Sequence, residues 1–190
     1  MGLLNKLFGF GATEVTPNQL AEVLLNGAVQ SALHGEGSVH SVLQQAGVEL
    51  EKSGTYQAEL VVYQLFLFDL LVQQTYDEYE DAIRRRLREK FAEHAASSVE
   101  RSGGDPVSHE EYIAFAEKRF AEYLPAAKRS LNSAGKAEAG SMALAETVYQ
   151  TITGREGKNP PATYALTVQW MALYGEIQET LREEYEVVSG

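Results

Sequence analysis

The sequence predicts an all-α protein: a single-domain globular bundle of six to seven helices around a buried central helix at about 56–75. Three observations predict it. Helix-start signals recur along the chain, whereas alternating strand patterns bounded by turns are few. Residues 60–72, LVVYQLFLFDLLV, are apolar apart from Gln64 and Asp69, so a helix built from them is apolar all round and must be enclosed. No period of about 20–50 residues repeats, which argues against a solenoid.

The elements follow in order. Residues 1–12 form a short amphipathic N-terminal segment separate from a helical domain over 13–190; Leu3, Leu4, Leu7 and Phe8 share one side of it, and Gly9 and Gly11 end it. Thr16, Pro17 and Gln19 read as a helix start. Thr16 caps, Pro17 takes the first helical position where no N–H is needed, and Gln19 completes a capping box. Leu20, Val23, Leu24 and Ala28 are the apolar stripe of this helix, which Gly35 and Gly37 stop near His34. A short helix at about 39–46 and an irregular segment around Gly47 follow. Ser53, Gly54 and Thr55 open the apolar helix. Asp77 is placed to cap a helix at about 78–97, whose acidic start and basic later turns match the helix dipole.

Residues 97–108, SSVERSGGDPVS, read as a loop, and Ser108 with Glu111 forms a second capping box. Its helix carries Tyr112, Ile113, Ala116, Phe120, Tyr123 and Leu124 inward, with Pro125 as a kink point. After a small-residue loop at 132–141 comes a helix at about 141–153, with Leu144, Val148, Tyr149 and Ile152 inward. The last helix, about 160–186, starts at a proline and buries Leu166, Trp170, Leu173, Tyr174, Ile177 and Leu181. No strand pair is expected.

Composition narrows the function classes. The absence of cysteine removes disulfides, thiolate metal sites and cysteine nucleophiles. A net charge of −11 disfavours a large nucleic-acid interface, which needs many cationic phosphate contacts. No run reaches the ~18–20 apolar residues of a membrane span. The N-terminus has no secretory-signal pattern, and Lys6 stands where myristoylation wants Ser or Thr. A cytoplasmic location is the expectation.

The motifs that resemble chemistry fail on spacing. A carboxylate di-metal bundle needs Glu-x-x-His on two helices, and no glutamate here is followed by histidine at that distance. His34, Glu36 and His40 fit no metal pattern. Residues 154–159, GREGKN, lack the first glycine and the Ser or Thr of a phosphate loop, with Ile152 and Asn159 in those places. Ser133 and Lys136 match Ser-x-x-Lys without its companion motifs. No metal or other cofactor is expected.

Two sets of residues remain. Asp69, inside the apolar run, needs an arginine or a tyrosine hydroxyl from another helix. With Tyr63 and Trp170 it forms a candidate ligand-binding set for an interhelical site. Leu3, Leu4, Leu7 and Phe8, and Arg84, Arg85 and Arg88, form candidate partner-binding surfaces. The arginines are diluted, because at ~100° per residue neighbours in sequence point apart, and Glu80–Arg84 and Asp81–Arg85 are favourable i,i+4 pairs. The sequence therefore leans away from an enzyme. It favours a non-catalytic cytoplasmic helical protein acting through protein–protein interaction, with an unidentified protein or with itself as a homodimer. The alternatives are a small-molecule-binding or enzymatic bundle with a site near Asp69, and weak peripheral membrane attachment through the N-terminal segment.

Overall fold

The computed structural model describes residues 12–49, 54–101, 107–132, 142–155 and 159–189. The N-terminal candidates Leu3, Leu4, Leu7 and Phe8, and the Ser133 to Lys136 motif, lie outside them. The fold is an all-α bundle. Among the described residues there are seven helices: α1 (Pro17–Leu33), α2 (Val39–Gln45), α3 (Gly54–Thr75), α4 (Glu80–Arg101), α5 (His109–Asn132), α6 (Ala143–Thr153) and α7 (Pro160–Glu184). No described helix is long and apolar enough to cross a membrane.

The caps form as their residue types require. The Thr16 hydroxyl accepts from the Gln19 amide at 3.3 Å and the Gln19 side chain accepts from the Thr16 amide at 2.9 Å. Ser108 and Glu111 make the same reciprocal pair at 3.2 and 2.9 Å. Gly35, Gly47 and Gly154 adopt positive φ just beyond the ends of α1, α2 and α6, a conformation that costs a glycine nothing.

Every residue from 59 to 72 is buried. α3 touches α1, α4, α5, α6 and α7, so each side of an all-round apolar helix has a partner. At ~1.5–3 kcal/mol per large buried side chain, this burial outweighs the indifferent helix propensity of Val61, Val62 and Val72. The polar Gln64 is partly met, its carbonyl accepting from Ser31 of α1 at 3.2 Å. Gly27 explains how closely α1 approaches: a Cβ there would lie 3.2 Å from the Phe68 ring.

Four details differ from the sequence reading. α4 begins at Glu80, because 77–79 form a turn in which Tyr79 packs against the core instead of Asp77 capping a helix. It runs on to Arg101, through residues that read as loop. Val23, assigned to an inward stripe, is 41% exposed. The last helix ends at Glu184 and the chain continues into a strand. This is β2 (Tyr185–Val187), which pairs in parallel with β1 (Thr13–Val15), Glu14 lying opposite Glu186. Three residues are too few to show alternation, and the pairing joins the two ends of the chain, so no local pattern announces it.

Candidate functional site

Asp69 faces α4. It is 2% exposed, and its Oδ1 accepts from Arg84 Nε at 2.8 Å and from Arg88 at 3.2 Å. Its Oδ2 accepts from Gln73 at 3.0 Å, one turn along α3. Arg84 also donates to Glu80 at 2.7 Å. Two carboxylates thus meet two guanidiniums, and the cluster is electrically neutral. Burial alone would lower the Arg84 guanidinium; its bonds to Asp69 and Glu80 outweigh that and hold it above its ordinary value. Arg88 additionally lies 5.5 Å over the Phe120 ring of α5. Arginine supplies the partner that an enclosed carboxylate needs, and residues 84 and 88 do so because they share one face of α4. Arg85, on a different face, is exposed.

A second ion pair, its glutamate buried and its arginine partly exposed, lies between α3 and α5. Arg119 holds Glu59 with both ends of its guanidinium and also donates to Glu122. Burial pushes the Glu59 carboxyl up while Arg119 pulls it down, and the Glu59 bond raises Arg119. Burial is the larger of the two effects on Glu59, so its carboxyl sits above its ordinary value despite the bidentate contact.

The other candidates sit in the packing. Tyr63 is fully buried, edge-on to Tyr123 at 6.2 Å between centroids. Burial raises its hydroxyl above the ordinary tyrosine range, and that hydroxyl has no hydrogen-bond partner among the described residues. Trp170 is 8% exposed and leans on Tyr174 at 5.9 Å. A buried hydroxyl without a partner costs stability rather than adding it. Tyr63→Phe is therefore expected to leave the urea midpoint unchanged, or to raise stability by up to about 1 kcal/mol. A loss of comparable size would show that the hydroxyl is bonded in solution.

Two concavities stand out among the described residues, and neither is lined by Asp69, Tyr63 or Trp170. One, of about 490 Å³, lies between α3, α4 and α5 and includes Phe91, His94 and Tyr112. The other, of about 540 Å³, is an open groove between α2 and α7, edged by Tyr164 and Val168. Gln169 lines that groove, 7% exposed, with a carboxamide that finds no partner among the described residues. Also among the described residues, no group of three or more His, Asp or Glu is placed to hold a metal ion, and His40 instead meets the Tyr56 hydroxyl at 3.2 Å.

Sequence reasoning missed the outer face of α7. Five large apolar side chains stay exposed among the described residues: Val23, Val107, Tyr164, Val168 and Met171. Three of the five belong to α7. At ~100° per residue, Tyr164, Val168, Met171 and the exposed Gly175 fall within roughly 60° of one another. The signal was present, since residues 159–175 contain no charged residue at all. The inward periodicity of that stretch names only the stripe through Leu166 and Trp170. No protein-family model, curated protein or solved structure matches the chain.

Proposed function

We propose that this is a non-catalytic cytoplasmic helical protein that acts by binding other macromolecules, and that the Tyr164, Val168 and Met171 face of α7 pairs with the same face of a second copy. The observation that carries the reading is this face: the exposed side chains of Tyr164, Val168 and Met171 are 67%, 49% and 61% accessible and lie in a charge-free stretch. Contiguous exposed apolar surface of this kind marks interaction sites.

Charge favours a second copy as the occupant. A basic partner would be attracted to surfaces bearing carboxylates, and this face bears none between residues 159 and 175. Copies carrying −11 each repel at long range. They therefore meet most easily where neither side presents a charge. A two-fold contact places one patch against itself. The small residues Ala165, Ala172 and Gly175 beside Tyr164 and Met171 leave room for the large side chains of the facing helix.

The test is sedimentation equilibrium of the natural chain and of Val168→Glu. The natural chain is expected at twice the 20.9 kDa chain mass, and the variant at 20.9 kDa. Val168 is half exposed, so the substitution leaves the fold intact, within about 0.5 kcal/mol. A natural chain that sediments as a monomer at micromolar concentration would remove the reading.

A further inference from the structure

We propose that the cavity between α3, α4 and α5 is a binding site for an uncharged, mainly apolar small molecule with an aromatic or alkyl body and one hydroxyl group. Its volume, about 490 Å³, is in the range of sites that enclose drug-sized ligands. Its walls include Leu33, Val61, Phe91, Ala95, Tyr112 and Phe115. Phe91 and Tyr112 meet edge-on with centroids 6.3 Å apart, which fixes an aromatic corner at which a ring can stack. Native interiors are close-packed, so apolar walls that, among the described residues, do not meet across such a space leave contacts unmade that a ligand can supply.

The polar groups select the ligand class. His94 of α4 and Gln57 of α3 are on the lining. The His94 ring makes no hydrogen bond among the described residues. Burial, and then the charge of Arg101, hold it below its ordinary value, so at neutral pH it presents one donor and one acceptor, as a hydroxyl does. Glu111 is the carboxylate on the lining. Its bonds from the Ser108 amide and hydroxyl hold it below the usual carboxylate range. As the lone carboxylate among the described lining residues, and exposed where water screens it, it cannot by itself hold a cationic head group, and no Lys or Arg stands among those residues to hold an anionic one. An uncharged ligand satisfies both constraints. The cavity shares no lining residue with the α2–α7 groove, so its test stands apart from that of the self-association face.

The probe is N-phenyl-1-naphthylamine, an uncharged aromatic amine whose fluorescence rises in apolar surroundings, titrated into the full chain at neutral pH and displaced with 4-hexylphenol. The expected result is saturable binding of one probe per chain, displaced by 4-hexylphenol, and weakened about tenfold or more in Ala95→Phe, which fills the cavity. Nuclear magnetic resonance of the unaltered chain provides a readout that does not depend on how that variant folds. The His94 ring signals should move on addition of 4-hexylphenol while those of His34 and His40 stay in place. Absence of saturable binding, or binding with an unmoved His94, overturns the site. Tighter binding of decanoate or decylammonium than of 4-hexylphenol overturns the ligand class.

Discussion

Replacing both arginines that hold Asp69, in Arg84→Met with Arg88→Met, should destabilise the protein by about 3–5 kcal/mol, the usual cost of leaving a buried charge without its partner. This is a large share of the ~5–15 kcal/mol that holds a domain of this kind together. The effect should be asymmetric. The side chain of Asp69 is 3% exposed while those of Arg84 and Arg88 are 24% and 21% exposed. Stranded guanidiniums can turn towards water, and Arg84 keeps Glu80; a stranded Asp69 has only Gln73. Asp69→Leu alone should therefore cost less than the double arginine variant. Combining all three substitutions should recover most of the loss, because an apolar replacement of the whole cluster removes the desolvation penalty along with the attraction. Urea unfolding of the three proteins measures this. An unchanged midpoint in the double arginine variant would mean that Asp69 is not held as described.

The second large effect lies in the packing of α3 against α5. Phe66 is 2% exposed and sits edge-on to both Phe120 and Tyr123, each 5.5 Å away between centroids. Phe66→Ala removes one member of this aromatic trio and leaves a void that neighbours fixed by their own helices cannot close. A loss of about 3–5 kcal/mol is expected, from the lost transfer energy and the cavity together. Calorimetry or urea unfolding reads it directly. A cost near that of a surface substitution, about 0.5 kcal/mol, would mean that α5 does not rest on Phe66.

Local chemistry was legible in the sequence and long-range geometry was not. Thr16 with Gln19, and Ser108 with Glu111, announce helix starts because a cap depends on residues only three apart. The continuous burial of residues 59–72 follows from a run without a polar face. Asp69 was legible as a group in need of a partner, and the partner's chemistry followed from charge. Which arginines would serve did not, because it depends on how α4 is rotated against α3. The β1–β2 pairing joins Thr13 to Tyr185 through the folded core alone. The cavity likewise draws Phe91, Tyr112 and Val61 from three helices, and no spacing in the sequence brings them together. The α7 face lies between these extremes. A helix that is uncharged over 159–175 has two apolar sides, and periodicity alone cannot say which of them the core takes.

The claim that this outer side of α7 meets its counterpart on a second copy is open to one direct measurement. The chain contains three methionines, and Met171 is 61% exposed on the face in question. A sample of otherwise perdeuterated chain carrying protonated, 13C-labelled methionine methyl groups, mixed with unlabelled protein, reports in an isotope-filtered NOE experiment only contacts between copies. Cross-peaks are expected from the Met171 methyl to Tyr164 ring protons or Val168 methyl protons of the unlabelled copy, and none from Met142. A Met171 methyl with no inter-copy cross-peak, or cross-peaks that survive Val168→Glu unchanged, would contradict it.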